Sequence, residues 1–169
     1  MKKIILACVC LLFTAQWVGA QKLPSVKLKD INGKEVNTAD LNNDGKPIIL
    51  NFWATWCKPC LKEMKAISDV YSEWVEETGV KMISVSIDDS RSSAKVKTMS
   101  DANSWEFEML LDVNGDFKRA MNVVNPPHVF ILDGEGNTVF QHNGYSDGSE
   151  EELIEIVRKL NAGESIKGQ

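Results

Sequence analysis

Basic residues, histidines and cysteines are scarce in this sequence, and their scarcity argues against several classes of protein. Lysine and arginine number 19 against 24 aspartates and glutamates, which leaves a formal net charge of −5. No basic cluster is present, so a nucleic-acid partner is not expected, because phosphate backbones require a concentrated basic face. A hydrophobic share of 43% and a charged share of 25% are those of an ordinary folded domain and disfavour disorder.

An apolar run long enough to cross a membrane is also missing. The run at 4–13 is too short for a span of about 20 apolar residues, and it follows a basic start. With the small residues at 18–20, this pattern predicts a signal peptide over residues 1–20 that is cleaved on export, and an uncleaved anchor is the alternative. Cys8 and Cys10 lie too early in the run for a lipid attachment site.

Removal of this segment would leave a mature protein of residues 21–169. That length fits a single domain, which buries about 70% of the surface of its unfolded chain. The removed segment carries two lysines and no acid, so the formal net charge becomes −7. We expect the mature protein to be a monomer located in the periplasm.

Export leaves two cysteines, Cys57 and Cys60, in the tetrapeptide Cys-Lys-Pro-Cys. A disulfide between them closes a very short loop, and the stabilisation that a disulfide provides grows with loop length, so a structural role is disfavoured. Two thiols held this close favour a reaction that opens and closes their bond. Zinc is the other option, but His128 and His142 are 14 positions apart, whereas a zinc finger separates its histidines by about three to five. No metal is therefore expected.

The cysteines lie at a predicted turn from a strand into a helix. Residues 47–54 form a nearly continuous apolar run, typical of a strand buried on both faces. Apolar residues then recur at helical spacing up to a predicted helix end near 78–79, namely Leu61, Met64, Ile67, Tyr71 and Trp74. Cys57 falls at the start of this helix, and Pro59 falls in its first turn, where a missing N–H costs nothing. The positive end of the helix should favour the thiolate of Cys57, and Lys58 adds a cation.

Residues 51–60, Asn-Phe-Trp-Ala-Thr-Trp-Cys-Lys-Pro-Cys, resemble the active-site segment of the thioredoxin superfamily. Glu63, three residues after the second cysteine, is similar to the TlpA/ResA branch of exported thiol-disulfide oxidoreductases. The resemblance implies an α/β thioredoxin fold with a central mixed sheet flanked by helices. It also implies an N-terminal β-hairpin extension, for which residues 26–41 are the candidate, and it covers about 26–160.

The remaining patterns are consistent with this fold. Strands are predicted at 80–87, 107–111 and 138–142, the last after a hairpin turn at 134–137, and helices are predicted at 92–102 and 116–121. Ser149 and Glu152 form a capping-box pattern before a final helix. The apolar face of that helix comprises Leu153, Ile156, Val157 and Leu160.

A second family element is a proline that opposes the cysteines. Residues 125–133 are similar to the family's cis-proline followed by an apolar strand, and the resemblance assigns the cis-proline to Pro127, with a rigid turn as the alternative. In the family the preceding residue hydrogen-bonds the substrate backbone, but Pro126 has no N–H, so one donor is lost from this substrate-binding position. His128 either faces the cysteines or packs within the strand, and we leave it out of the catalytic set.

The resemblance gives each site residue a role. Cys57, exposed at the helix start, attacks a substrate disulfide, and Cys60, one turn along and deeper, resolves the mixed disulfide. Glu63 lies on the same helical face as Cys60 and is the expected proton acceptor if it is buried, and the alternative is a solvated surface acid. Asn51 stands where thioredoxins have an aspartate and is expected to satisfy a buried hydrogen bond. Trp56 is expected to form an apolar lip for substrates. The residues expected to shape the site are Trp56, Lys58, Pro59 and Pro127.

Three functions fit this site. The first is a reductase of protein disulfides that a membrane thiol electron donor keeps reduced, as the resemblance implies, and we favour it. The second is a thiol oxidase or isomerase that uses the same dithiol at a higher potential, and the third is a redox-inactive binding protein on a thioredoxin fold. A peroxidase is disfavoured, because the Pro-x-x-x-Thr-x-x-Cys pattern is missing around Cys57. No cofactor is expected, since the two thiols carry both electrons.

Overall fold

The computed structural model describes residues 21–166. The predicted signal peptide, 1–20, and residues 167–169 lie outside the described residues. The strands are β1 (Gln21–Lys22), β2 (Lys27–Asp30), β3 (Glu35–Asn37), β4 (Ile48–Trp53), β5 (Lys81–Ser86), β6 (Glu108–Leu111), β7 (His128–Leu132) and β8 (Asn137–Asn143). The helices are α1 (Lys58–Thr78), α2 (Ala94–Asn103), α3 (Asp116–Ala120) and α4 (Glu150–Asn161).

The strands form one mixed sheet in the order β1-β8-β7-β4-β5-β6-β2-β3. At its centre β4, β5 and β6 run parallel, whereas β7 runs antiparallel to both of its neighbours. The predicted α/β fold with a central mixed sheet flanked by helices is therefore confirmed. Because β4 and β7 are antiparallel and Phe52 pairs with His128, the end of β4 and the start of β7 meet at one edge of the sheet.

The strand β4 divides the interior into two cores because its side chains alternate between the two faces of the sheet. All six of its residues are buried. Ile49 and Trp53 pack on the face covered by α1 and α4, and Leu50 and Phe52 pack on the opposite face with Phe117 of α3. The first of these faces is the one on which the cysteines lie.

Helix α1 has the bounds that the apolar periodicity predicts. Cys57 is its N-cap, and it ends at Thr78, after which Gly79 adopts a left-handed conformation with φ of 67°. The Gly79 N–H donates to the carbonyl of Val75 at 2.8 Å, which satisfies one of the last helical carbonyls. The predicted end near 78–79 is confirmed. The buried face of the helix comprises Cys60, Glu63, Met64, Ile67, Tyr71 and Trp74.

The N-terminal hairpin is shorter than its predicted extent. Strands β2 and β3 pair with each other, and β2 also pairs with β6 and so extends the sheet at that edge. The predicted second arm, 35–41, is only partly a strand, because β3 ends at Asn37 and a 3-10 turn follows at Thr38–Asp40. The Asn37 side chain accepts the N–H of Ala39 at 3.0 Å, and this cap favours the turn over a longer strand.

The capping box predicted at the start of α4 is not formed. Ser149 already has helical backbone angles, φ −69° and ψ −16°, and its side chain makes no capping bond. Its hydroxyl oxygen instead accepts the N–H of Ser146 at 3.4 Å. The predicted helix and its buried apolar residues are nevertheless present, with Leu153, Ile156 and Val157 buried.

The other predicted elements appear within about two residues of their expected bounds. They are β5, α2, β6, α3 and β8. Strand β1, which pairs with β8 at the sheet edge, was not predicted, because two residues carry no periodicity. Within residues 21–166, no helix is long and apolar enough to cross a bilayer.

Candidate active site

The two cysteines lie where β4 passes into α1, and they form a disulfide. The Sγ atoms are 2.03 Å apart and the Cα atoms 5.3 Å apart. As the N-cap of α1, Cys57 accepts the N–H of Cys60 on its Sγ at 3.3 Å. Lys58 and Pro59 occupy the first turn and are exposed. The sulfur of Cys57 therefore stands at the positive end of a helix of 21 residues.

The expected exposure of Cys57 is wrong for this disulfide form. Cys57 is 5% exposed and Cys60 is fully buried, and both belong to the core beneath α1. The neighbouring Trp56 takes the exposed position instead, at 64%. Since Cys57 retains some exposure and Cys60 has none, the order of access expected for an attacking and a resolving thiol is preserved.

The loop that carries Cys57 is held in place by a buried carboxylate, Asp88, which follows β5. Its Oδ2 accepts the Thr55 N–H at 2.8 Å and the Ser86 hydroxyl at 2.8 Å. Its Oδ1 accepts the Thr55 hydroxyl at 2.6 Å. Two bonds therefore fix the chain at Thr55, two residues before the nucleophile, and the bond from Ser86 orients the Asp88 carboxylate. Sequence reasoning missed Asp88, because the partner lies 33 positions from Thr55.

Glu63 is buried one turn beyond Cys60 on α1. It is 2% exposed, and its Oε2 has no hydrogen-bond partner within the described residues. Burial, and to a lesser degree the negative charge of Glu150, raises the pKa of Glu63 to about 8. The condition for a role in proton transfer, burial, is met, and the alternative of a solvated surface acid is wrong.

The expected hydrogen bond of Asn51 is absent from the part of the chain that the structure describes. Asn51 is fully buried, and neither its oxygen nor its nitrogen has a partner. It pairs with Ser84 of β5, whose hydroxyl is likewise buried without a partner. Both side chains point to the α1 face of the sheet, because each lies two positions along its strand from a core residue of that face, Trp53 or Met82. A pair of unsatisfied polar groups therefore lies under the helix that carries Cys60.

His128 faces away from the cysteines. It pairs with Phe52, so its side chain lies on the α3 face of the sheet, where it stacks on Phe130 with ring centroids 4.5 Å apart. Burial lowers the pKa of His128 and favours its neutral form. His142 pairs with Val129 and therefore lies on the other face. The two histidines therefore lie on opposite faces of the sheet and do not form a Cys2His2 set with the cysteines.

The proline segment closes the site from the start of β7. The Pro126–Pro127 peptide is cis, as the resemblance predicted. Pro127 is buried, Pro126 is half-buried, and the Gly144 N–H donates to the Pro127 carbonyl at 2.9 Å. Val124, just before these prolines, is 70% exposed. Sequence analysis did not single out Val124, because one apolar residue in a loop forms no pattern.

The structure combines a mixed sheet, a buried Cys-x-x-Cys disulfide at the start of α1, and a cis-proline just before β7. This combination defines the class of thioredoxin-like thiol-disulfide oxidoreductases. The chain belongs to the AhpC/TSA family, which it matches over residues 20–141.

Named relatives agree with this class. The chain is 30% identical over 146 residues to the thiol-disulfide oxidoreductase ResA of Bacillus subtilis, with 80% of this chain and 79% of that protein covered. It is 29% identical over 145 residues to the thiol:disulfide interchange protein DsbE of Yersinia pestis, with coverage of 83% and 73%. The protein is therefore a thiol-disulfide oxidoreductase of the ResA/DsbE type.

A solved structure supports the fold directly. The solution structure of a thioredoxin-like protein from Porphyromonas gingivalis is 57% identical to this chain. It superposes with a TM-score of 0.75 and covers 83% of this chain and 92% of that one. The thioredoxin-like arrangement of sheet and helices is therefore shared with a close relative of known structure.

Proposed function

We propose that this protein is a periplasmic reductase of protein disulfides, with residues 21–169 as a single mature domain. The supporting observation is the charge around the dithiol. Within the described residues, the buried side chains near the sulfurs include Glu63 and no basic residue, and Lys58 and Lys62 are exposed. Water and salt weaken the influence of exposed cations. A strong oxidant such as DsbA requires a stabilised reduced form, which this environment does not favour.

The reductive reaction can be written with these residues. The thiolate of Cys57 attacks a substrate disulfide, forms a mixed disulfide and releases one substrate thiolate. Cys60 then gives its proton to Glu63 in the molecules in which Glu63 is ionised, a minority at pH 7 because its pKa is about 8, and attacks the sulfur of Cys57. The second substrate thiolate leaves, and Cys57 and Cys60 end as the disulfide seen in the structure. Two electrons have passed to the substrate, and an external dithiol, which we propose to be a membrane protein, restores the reduced pair.

The substrate surface in this proposal is an apolar rim around the disulfide. Trp56 at 64% exposure and Val124 at 70% are the most exposed large apolar residues within 21–166. Trp56 precedes Cys57 in the loop after β4, and Val124 lies two residues before Pro126 in the loop before β7; the end of β4 and the start of β7 meet at one edge of the sheet. If the two residues form one continuous apolar patch, it would mark a contact surface for a partner. Because Pro126 offers no N–H, binding would depend on side-chain contact more than on a backbone bond at that position.

The decisive measurement is the reduction potential of the pair. The mature protein would be equilibrated in dithiothreitol and glutathione buffers, with thiol alkylation as the readout and the Cys57→Ser protein as the blank. We expect a value near or below that of thioredoxin, about −270 mV. A value near that of DsbA, about −120 mV, would make the protein an oxidase or isomerase. A pair that does not cycle would leave a binding protein.

Export is tested separately. Cell fractionation, together with mass spectrometry of the purified protein, should locate the chain in the periplasm with Gln21 as its first residue. A full-length chain retained in the membrane fraction would instead support the uncleaved anchor.

A further inference from the structure

A second carboxyl group borders the site and has no part in the reaction written above. Glu150 is the first residue of α4. Its Oε2 accepts the hydroxyl of Tyr145 at 3.1 Å and the N–H of Gly148 at 3.1 Å. Both donors come from the segment between β8 and α4, so the carboxylate is held by two bonds from its own loop.

This loop is attached to the site at both of its ends. At one end, Gly144 donates to the carbonyl of the cis-proline Pro127 at 2.9 Å. At the other end, α4 packs on α1, and its buried residues Leu153 and Ile154 belong to the same core as Cys60. Glu150 therefore sits where the proline segment, α4 and the cysteine helix come together.

Glu150 also lies within electrostatic reach of Glu63. The negative charge of Glu150 contributes to the raised pKa of Glu63, after burial. The hydroxyl of Tyr145 experiences both carboxyl groups, and burial together with its bond to Glu150 raises the pKa of Tyr145 to about 12. Tyr145 therefore stays protonated near neutral pH and acts only as a donor to Glu150.

Glu63 needs such a neighbour if it is to act in every cycle. At 2% exposure it has almost no contact with water, so a proton taken from Cys60 would have no direct exit. Glu150 and Tyr145 are half-buried, so both keep the contact with solvent that Glu63 lacks. A carboxylate in that position can both receive a proton from the inside and release it to solvent.

We propose that Glu150, oriented by Tyr145, is the proton gate of the redox site. The proton that Cys60 gives to Glu63 passes to the carboxylate of Glu150 and then to water, and no electrons move in this step. Glu150 and Tyr145 are positioning residues here, since they act on the sulfurs through Glu63. The proposal rests on the proposed function, in which Glu63 is the proton acceptor.

Few other titratable groups surround Glu63 in the described part of the chain. Helix α1 contributes Cys57 and Cys60, which do not titrate as a disulfide, and the loop before α4 adds Asp147 beside Tyr145. On that face the strands beneath α1 present mainly apolar side chains, together with Asn51, the Ser84 hydroxyl and the half-buried His142 beside Val129. In the oxidised protein, we therefore expect the titration near pH 8 to be that of Glu63, with a pKa that the charge of Glu150 helps to raise.

The test compares Glu150→Gln with Glu151→Gln in the mature protein. Glutamine at 150 can accept the same two hydrogen bonds through its carbonyl oxygen, and Glu151 is an exposed carboxylate of the same helical turn. Carboxyl NMR of the oxidised proteins gives the titration midpoint of Glu63. We expect E150Q to lower it by about half a pH unit or more, because a like charge is removed, and E151Q to leave it in place. Equal midpoints in both variants would overturn the proposal.

Kinetics test the relay itself. The rate at which each reduced protein reduces the disulfides of insulin is followed from pH 5 to 9. At pH 9 Glu63 is mostly ionised in every protein, so all variants can take the proton from Cys60. The variants then differ only in how that proton leaves Glu63, and we expect E150Q, which lacks the second carboxylate, to be several-fold slower than E151Q. Tyr145→Phe, which retains both carboxyl groups, should show a smaller decrease. An E150Q rate equal to that of E151Q at every pH would refute the relay.

The variant Glu63→Gln distinguishes a failure of the gate from a failure of the proposed mechanism, in which Glu63 is the proton acceptor. If the titration near pH 8 and the rate profile are unchanged in E63Q, then Glu63 is not the proton acceptor and the proposed mechanism fails. If E63Q removes the titration while E150Q behaves like E151Q, the mechanism stands and the gate alone is wrong.

Discussion

At the scale of single residues, the ionisation of Glu63 links the site to the stability of the fold. A carboxyl group with a pKa of about 8 in the folded protein and about 4.3 in an unfolded chain keeps a proton that unfolding releases. Rising pH therefore favours unfolding across this window, by about 1.4 kcal/mol per pH unit. The contribution is fully present below about pH 4.3 and is lost by about pH 8.

We predict that Glu63→Gln removes this slope. The free energy of unfolding of the oxidised protein, measured in urea from pH 5 to 8, should fall more steeply with pH in the wild type than in E63Q. Glu73→Gln changes an exposed carboxylate on the same helix and should behave like the wild type. The lowered pKa of His128 has the opposite effect, since it makes the free energy of unfolding fall as the pH is lowered. This effect is the same in all three proteins. Parallel curves for wild type and E63Q would contradict the buried, protonated state of Glu63.

The two hydrogen bonds between Thr55 and Asp88 give a second prediction. Thr55→Val keeps the shape of the side chain but removes the hydroxyl that donates to Asp88 at 2.6 Å. We expect a loss of about 1–3 kcal/mol in the free energy of unfolding and slower alkylation of Cys57 in the reduced protein, because the loop before it is loosened. Thr55→Ser retains the donor and should lie close to the wild type. A valine variant as stable and as reactive as the serine variant would show that the hydroxyl bond to Asp88 does not position the nucleophile.

Individual residues also show what a sequence reveals and what it leaves open. Cys57, Cys60 and Glu63 were found because they lie within seven positions of one another, in a spacing that the helix preserves. The sides taken by Asn51 and His128 depend on strand register, which is fixed by pairing with strands distant in the chain. For that reason the unpaired state of Asn51 and the burial of His128 on the α3 face of the sheet appear only in the folded structure.

At the scale of secondary-structure elements, strong apolar periodicity predicted the bounds of strands and helices correctly, whereas a local capping motif did not. The bounds of β4 and α1 followed from apolar runs and spacing, because burial requires those patterns. The capping box at Ser149 satisfied the sequence rule but is absent, since the backbone there is already helical. The loop before α4 is instead organised by Glu150, which a capping pattern does not anticipate.

This difference predicts the cost of removing two caps. Ser149→Ala should change the free energy of unfolding by only a few tenths of a kcal/mol, whereas a working cap contributes about 1 kcal/mol. Asn37→Ala should show that larger cost, because its side chain accepts the Ala39 N–H at 3.0 Å and also bonds to Ser25. Urea unfolding of both variants at one pH provides the comparison. A larger loss for S149A than for N37A would mean that the serine caps α4 in solution.

At the scale of the whole molecule, the site is assembled from segments that are remote in the chain. The loop after β4, the first turns of α1, the prolines before β7 and the loop before α4 meet at one edge of the sheet. Sequence motifs identified the first three segments, because the family resemblance spans them. The fourth, with Tyr145 and Glu150, has no motif, and the packing of α4 on α1 and the bond from Gly144 to Pro127 bring it to the site.

The direction of the reaction should be visible in the stability of the whole fold. Oxidation and unfolding form a thermodynamic cycle. If the disulfide is more favourable in the folded protein than in the unfolded chain, the oxidised protein must have the larger free energy of unfolding. The two-residue loop of this disulfide constrains the unfolded chain little, and the difference therefore reports mainly on the native site. In DsbA the reduced form is the stabilised one.

For a reductase we predict the reverse of the DsbA order. The oxidised mature protein should unfold at a higher urea concentration than the reduced protein at pH 7, when the two are compared with and without dithiothreitol. Cys60→Ser, which cannot close the disulfide, should unfold at the same concentration under both conditions and controls for effects of the reductant. Within the described residues, the buried acid Glu63 and the lack of a buried basic side chain near the sulfurs favour this order, and we expect them to outweigh the positive end of α1. A reduced form more stable by about 1.4 kcal/mol, equivalent to about 30 mV for a two-electron couple, would contradict the reductase and favour the oxidase.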